Sequence, residues 1–536
     1  MPSPNYMRSD AMQFPIPYSA AMAAILSMGA ALPSTAGVSI AGTGGANALS
    51  VTDAQTFQIN RGGGTGHIAI VPYFSTQNGN STLLSITNTD SYNGKVVKLR
   101  FRGASNGDNL LDLTILLQAG DAWAASISQD TDGLSRITTE DTSCTLPRDT
   151  NLAFSTSRVS TALSATERAA WTREGYIEII TAADIPFARA QNGGSYRPLP
   201  VAIGAAGQYK CPKADAPALA ALLNEPASEQ EALSMGLDTP STGLLVNSII
   251  INVAGASVAW STPTTMLTAV TAAGTPGRGR LVFSPQTDDT ATQVDQLTND
   301  PLLRSAARRV QPRQFDLPDL STPYLGTAAI DADAPFRHVE ALSAGLSVPR
   351  LVNEFVRDLR IDARTDWTVT MPTRRYAVAM EPTALQPVFN VGAHGNSRYF
   401  TPAVFTSQAQ RICATKRYVF MERQGYTSDV ESGATITGSN QFRLTTLCGN
   451  ASVLPMALTS QSALNASLTT AARLSGRFDP PPYPYYQDPN IADDGWAVLD
   501  LDGLPAIGSA YFYARGPLVA DKSTSFGWVY NHAMKP

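Results

Sequence analysis

The sequence predicts a mainly β protein: two immunoglobulin-like antiparallel β-sandwich domains with short helical and long loop insertions. Three observations predict it. Apolar–polar alternations recur from residue 67 onward, about a dozen residues apart. Clusters of Asn, Gly and Asp, which tolerate turn backbone, separate them. Helical periodicity is confined to a few short windows.

The first 66 residues lie outside this pattern. Ala20 to Leu32, "AAMAAILSMGAAL", is an uncharged apolar run with the length of an export-signal core and too short to span a bilayer as a helix. The other reading is an apolar arm kept in the mature chain. No later stretch is a transmembrane candidate. Residues 37–66 end in "RGGGTG" and read as a linker, because no helix follows and the phosphate-loop Lys is missing.

Strands are expected at 67–74, 81–89, 95–103, 110–118 and 122–128. "QNGNS" and "SYNGK" mark turns between them. In 110–118, Leu111, Leu113, Ile115 and Leu117 alternate with more polar residues, which predicts one buried face. Trp123 is expected to plug the core end. Ser164 and Glu167 form a capping box that starts a helix over 164–173. "EGYIEII" returns to strand and completes the first sandwich, within a domain of residues 67–210.

Residues 211–365 read as an insertion. A helical pattern at 216–235 is broken by Pro226, a hairpin follows at 242–260, and a polar excursion fills 285–335. Leu351, Val352, Phe355, Val356 and Leu359 share a helical face, so 349–360 is expected to be an amphipathic helix with Pro349 near its start. The second β-rich domain, 366–536, opens with "DWTVTMPTRRYAV" and resumes strands at 413–423, 440–447 and 453–459. It carries the Pro/Tyr-rich loop 478–490 and closes with "GSAYFYARG" and "SFGWVYNHAMKP".

Composition limits the function classes. Apolar residues make up 43% of the 536, enough for a full core, but charged residues only 15%. Such a polar, weakly charged surface suits an exported or matrix protein better than a cytosolic enzyme. The net charge is −5 and no Lys/Arg run exists, which argues against nucleic-acid binding through clustered cations.

Four cysteines, Cys144, Cys211, Cys413 and Cys448, form no CxxC pattern and fit two structural disulfides in an oxidising compartment. Three connectivities are open; the sequence-nearest pairs are 144–211 and 413–448, and four buried thiols are the other reading.

No nucleophile elbow, zinc helix motif, phosphate loop or dinucleotide fingerprint occurs, and the chain reads as non-catalytic. His394, on a Gly-rich loop beside Ser397 and Arg398, is the best lone catalytic candidate. The carboxylate pairs Asp331/Asp333 and Asp493/Asp494 lack a motif that would fix them for glycosidase chemistry. Calcium fits better, because Ca²⁺ takes several carboxylate and carbonyl oxygens from loops. Asp488, Asn490, Asp493 and Asp494, with Asp500 and Asp502 beyond them, form one candidate group. Asp130 and Asp132 in "QDTDG" form the other. Ordinary Asx turns are the competing reading.

Candidate assembly contacts are Tyr483, Tyr485 and Tyr486 in "PPPYPYY", and Lys98, Arg100 and Arg102. The last three alternate with Val97, Leu99 and Phe101 and read as the solvent face of a half-buried strand.

Taken in order, "VPYFSTQNGNSTLLSITNTDSYNGKVVKLRFRGASNGDNLLDLTILLQAGDAWAASIS", "EGYIEIITAADIP", "TGLLVNSIIINV", "DWTVTMPTRRY" and "DGLPAIGSAYFYARG" resemble proteobacterial cell-surface proteins of surface-layer type. The likeness runs from residue 71 to about 516. It implies an exported structural protein that assembles with further copies of itself on the outer surface of a Gram-negative cell, against an outer-membrane component. It brings no catalytic residues. The chain departs from common surface-layer patterns in lacking an anchoring repeat or sortase motif, so the attachment stays open. The alternative is a secreted adhesin or glycan-binding β-sandwich protein.

Overall fold

Strands account for most of the described residues in this computed structural model. It describes residues 50–147, 151–157, 159–186, 236–252, 258–281, 320, 334–356, 358, 360–380, 387–389, 397–408, 411–422, 443–456, 462–466, 494–519 and 522–535. All belong to one structural unit, Ile40–Pro536. Among them no helix is long and apolar enough to cross a membrane.

The chain begins with β1 (Thr56–Asn60), β2 (Thr65–Gly66), β3 (Ile68–Ser75), β4 (Asn80–Asn88), β5 (Asn93–Gly103), β6 (Asn109–Leu117), β7 (Ala122–Gln129), β8 (Ser135–Thr138), β9 (Cys144–Leu146) and β10 (Asn151–Ala153). Helix α1 (Ala165–Ala170) leads to β11 (Glu174–Pro186), β12 (Leu244–Asn252), β13 (Val258–Thr262) and β14 (Thr265–Val270). Helix α2 (Ala334–Leu346) precedes β15 (Arg350–Val356), β16 (Arg364–Thr370), β17 (Val378–Met380), β18 (Pro387–Phe389), β19 (Thr406–Gln408), β20 (Arg411–Glu422), β21 (Arg443–Cys448) and β22 (Ala451–Pro455). Last come β23 (Asp494–Asp500), β24 (Ser509–Val519), β25 (Lys522–Asn531) and β26 (Ala533–Lys535).

Every pairing between these strands is antiparallel, and four sheets carry the structure. Sheet I has the order β1-β14-β3-β11-β5-β6-β9, and sheet II the order β10-β8-β7-β4-β12-β13 with β2 beside β12. Sheet III runs β19-β20-β23-β15-β26 with β21 beside β20, and sheet IV runs β22-β16-β24-β25. Segment 211–365 therefore divides its strands: β12, β13 and β14 complete the first pair of sheets, while β15 belongs to the second.

Sheets I and II face each other across one core. Leu99, Phe101, Ile115, Ile177 and Ile179 meet Leu84, Ile86, Trp123, Ile127 and Val246 there. Each such burial contributes roughly 1.5–3 kcal/mol. Sheets III and IV enclose a second core, with Leu351, Phe355, Ile412, Tyr418 and Leu499 against Trp367, Val369, Leu454 and Phe512. The outer face of sheet I is covered as well. Ile68, Ile70, Ile180 and Leu267 pack on Val339, Leu342 and Leu346 of α2 and on Tyr376 and Ile507. Strand β6, between β5 and β9, buries both faces, Thr114 and Leu116 included, rather than the one its alternation predicts. A further cluster joins Tyr73, Ile250 and Trp260 to Val453, Leu464, Tyr511 and Tyr513. The Trp260 indole donates to the Phe512 carbonyl at 2.7 Å.

Two local expectations are corrected. Residues 350–356 form a strand, not the expected helix: burial alternates with a period of two, and all seven residues pair with β23. A run of Leu, Val, Phe and Val serves either period, and a waiting strand decides between them. Asn93–Gly94 is no turn either. It opens β5, and the preceding turn is closed by the Asp90 carboxylate accepting from the amides of Tyr92 and Asn93. The capping box at Ser164 and Glu167 forms as read. The helical pattern at 216–235 and almost all of 285–335 lie outside the described residues.

Cys413 and Cys448 stand opposite each other on β20 and β21 and are disulfide-bonded. Cys144 is disulfide-bonded too, and Cys211 lies outside the described residues. The 413–448 bridge closes a loop with a sequence separation of 35. Replacing both cysteines by serine is expected to lower stability by about 4 kcal/mol, the entropy such a loop regains in the unfolded chain. Denaturant titration at neutral pH measures it.

Candidate functional site

The basic stripe of β5 does not face solvent. Lys98, Arg100 and Arg102 are 5%, 1% and 1% exposed. Strand β5 lies between β11 and β6, and the register sets Arg100 between Glu178 and Asp112. Arg100 Nε lies 2.7 Å from Asp112, and Arg102 Nε 3.3 Å from Glu178. The Lys98 ammonium donates to the Thr114 hydroxyl. The reading as a solvent face is corrected: all three side chains are buried, and over Arg102 the second pair of sheets lies on top. Residues so enclosed within the chain are not contacts for another copy.

A short 3₁₀ turn, Arg374–Tyr376, supplies the cover. The Arg102 guanidinium donates to the Tyr376 hydroxyl at 3.3 Å, and that hydroxyl donates to Glu178 at 3.4 Å. Tyr176 donates to the Pro372 carbonyl at 3.2 Å. Arg374 bonds the Asn450 side chain, the Ile412 carbonyl and the Ser105 carbonyl. Asn450 and Ala451 donate their amides to the Ala104 carbonyl at 2.7 and 3.1 Å. The turn carrying Asn450 follows directly on Cys448, so the disulfide braces it. Gly449 is required there. Its φ is +81°, and a Cβ would come within 2.3 Å of the Ala104 carbonyl oxygen. Burial pushes Arg374 and Arg375 down to about 10, and both remain cations at pH 7.

A second buried ionic centre closes the other end of sheet I. Lys95 bonds Asp184 at 2.8 Å and the Ser241 carbonyl at 3.1 Å. Arg278 lies 3.5 Å from Asp184 and 3.9 Å from Asp238. Asp238 also accepts from the Ser50 amide and hydroxyl, both at 2.8 Å. His67 nearby bonds the Gly277 carbonyl and accepts from the Ala269 amide. Burial first, then Lys95, pushes its imidazole down to about 3.

The calcium candidates among the described residues do not gather. The Asp130 carboxylate accepts from the Thr131 amide at 2.7 Å and lies 2.7 Å from Arg136. Asp132 accepts from Leu134 at 2.9 Å and lies 3.5 Å from the same guanidinium. Both serve the β7–β8 turn and one arginine, as Asx turns do. Asp494 heads β23, while Asp500 and Asp502 engage Arg350, Arg417 and Lys416. Among the described residues no three His, Cys, Asp or Glu side chains converge as a metal site would require. Asp488, Asn490, Asp493, Tyr483, Tyr485, Tyr486, His394, Asp331 and Asp333 lie outside the described residues.

The outward-facing feature that sequence reasoning missed is aromatic. On β25, Phe526 and Tyr530 are 58% and 50% exposed, and Met534 on β26 is 47% exposed. Trp528 between them stacks on Phe512, with centroids 5.1 Å apart and planes at 6°. Strand β25 is the edge of sheet IV, and β26 is the edge of sheet III. The signal was present as F-x-W-x-Y, an aromatic at every second position and hence on one face. No charged residue occurs from Ser523 to Met534.

Glu174, where β11 begins, is a buried carboxyl bonded by the Tyr73 hydroxyl at 2.7 Å. Burial raises it to about 7, against the opposing hydrogen bonds of Tyr73 and Gln77. A raised carboxyl is protonated in the fold while the unfolded chain ionises it near 4.5, so stability falls as pH rises from about 4.5 through 7. Glu174→Gln is therefore expected to raise stability by about 3 kcal/mol at pH 8 and to change it little at pH 4. The buried histidines act with the opposite sign. His67 near 3 and His532 near 4 are neutral in the fold, so wild-type stability also drops as pH falls below 6.5. Urea melts of both proteins across pH 4–8 measure both slopes. Glu178→Ala leaves Arg102 buried without that carboxylate and is expected to cost about 3–5 kcal/mol, read by the same melts.

Comparison with family models, curated proteins and solved structures finds no match to this chain.

Proposed function

We propose that this chain is a non-catalytic, self-assembling structural protein exported to the surface of a Gram-negative cell, where its copies tile a lattice or coat. One observation carries the reading: β25, an edge strand among the described residues and uncharged from Ser523 to Asn531, holds two half-exposed aromatic rings. Soluble proteins usually guard such edges with lysine, proline or a covering loop, because unpaired strand groups recruit other chains. An apolar cluster left on an edge marks a contact surface.

The magnitudes favour assembly by repetition. The exposed halves of Phe526 and Tyr530 offer on the order of 200 Å² of apolar surface per copy. Burying that on two copies yields about 10 kcal/mol gross, against an association cost of about 4–15 kcal/mol. One such contact is weak, and many in register hold an array. Disulfides suit an oxidising exterior, and the resemblance to surface-layer proteins points the same way. The immunoglobulin-like character of the two sheet pairs belongs to this proposal and rests on their antiparallel packing about two cores. Calcium enters as a bridge between acidic loops of neighbouring copies. The adhesin reading draws on the same rings, which would stack on sugar faces.

Electron microscopy of the purified protein with and without chelator tests the proposal. Ordered sheets that disperse in chelator are the expected result. A monomer in both conditions, with binding to one defined glycan, would replace the lattice by the adhesin.

A further inference from the structure

We infer that Lys95 and Asp184 join through their side chains in an isopeptide bond, which the chain makes by itself with loss of one water. Such a bond is a covalent brace inside one molecule and does not depend on assembly. Lys95 on β5 and Asp184 on β11 are direct partners in the antiparallel register. Both side chains are fully buried, and the ammonium lies 2.8 Å from Asp184 Oδ1.

The groups around this pair are those that acyl transfer to an amine needs. A second carboxylate oxygen, Asp90 Oδ2, lies 3.9 Å from the lysine nitrogen and is buried as well. The other oxygen of Asp184, Oδ2, accepts from the Ser241 amide at 3.2 Å and from the Ser241 hydroxyl, and lies 3.5 Å from Arg278. Backbone bonds of 3.0 and 2.9 Å between Asp184 and Asp238 hold this stretch against β11. A nucleophile, an acyl carbon, a proton carrier and a set of oxyanion donors thus meet in the interior. Lys416 provides the contrast. Its carboxylate partner Asp502 is 59% exposed, so water competes there.

An amine attacks only in its neutral form. The Lys95 ammonium passes one proton to Asp184 Oδ1 along their hydrogen bond, which leaves a neutral amine beside a neutral acid. The nitrogen lone pair then attacks Cγ. The C–N bond forms, and the C=O electron pair moves onto Oδ2, where Ser241 and Arg278 stabilise it. Asp90 takes a proton from the positive nitrogen and delivers it to the Oδ1 hydroxyl. The Cγ–Oδ1 bond breaks, the pair on Oδ2 returns to form the amide carbonyl, and water leaves. Asp90 ends as it began, and no outside reagent is consumed.

Two effects favour the amide. Partners held in contact react as if at about 10⁵–10⁸ M. The product also removes two opposite charges from an interior where each ion is costly. The bond spans a sequence separation of 89 and, unlike the 413–448 disulfide, survives thiol reductants.

The test is mass spectrometry of the full chain, reduced and unfolded, before and after digestion. Wild type is expected to weigh one water less than its sequence and to yield a branched peptide joining residues 95 and 184. Lys95→Arg keeps a cation beside Asp184 without the amine, and is expected to show its full mass and no branch. Wild type at full mass, with residues 95 and 184 on separate peptides, would overturn the bond and leave an ion pair. A water lost from both proteins without a branch would overturn it too, since an Asp–Gly pair such as Asp132–Gly133 can dehydrate without joining strands. Wild type alone decides, whether or not the variant folds. Asp90→Asn, with its folding checked by a melting curve, is expected to join at least about tenfold more slowly after synthesis, as loss of a proton carrier does. Joining at the wild-type rate would overturn the role of Asp90. Sheets in the electron microscope are expected with either mass, so the lattice stands or falls separately.

Discussion

The fold depends on a layer of charge buried between its two pairs of sheets. Taking Arg100, Arg102, Arg374 and Arg375 out of water costs several kcal/mol for each ion. That cost is met only where carboxylates and carbonyls stand at the right places: Asp112 beside Arg100, Glu178 beside Arg102, and the Asn450 amide and the carbonyls of Ile412 and Ser105 around Arg374. The partners of the first two arginines come from neighbouring strands of sheet I. Those of Arg374 come from both sheet pairs. The interface is thus specified in one orientation, because sliding it strands charge in the interior. An apolar interface would tolerate such a slip.

This arrangement explains which parts of the structure the sequence disclosed. The alternation in "KVVKLRFRG" correctly predicts a strand whose odd and even residues part to opposite faces. The identity of the two environments is not a local property. Val97, Leu99 and Phe101 find sheet II, while Arg102 on the other face finds a 3₁₀ turn more than 270 residues later in the chain. Nothing within ten residues of Arg102 announces Tyr376. The amphipathic window at 350–356 fails for the same reason. Its apolar residues suit a helix or a strand, and β23, far along the chain, supplies the pairing that settles the matter. By contrast, the Ser164–Glu167 capping box is complete within four residues and forms as the sequence predicts. The same distinction holds at the candidate site. The aromatic alternation of β25 was legible as a strand, but its exposure follows from its place at the edge of sheet IV.

Burying these charges also alters the outside. The chain is already low in charge, and a share of that charge is spent on internal pairs at the seam and around Lys95 and Asp184. The exposed surface is therefore less charged than composition implies. Long-range electrostatic steering, which needs clustered surface charge, has little to act on. Encounters between such molecules are decided at contact distance, by shape and by apolar area.

A strand edge is well suited to that regime. Its unpaired backbone groups supply direction and spacing, and its side chains select a register. On β25 the Trp528 ring is anchored by stacking on Phe512, so the stripe is rigid before any partner arrives. The ring belongs at once to the second core and to the surface. The packing that stabilises the fold thereby also orders the exposed aromatic patch, and a change that loosens the core behind Phe512 would disorder that patch without touching a residue in it.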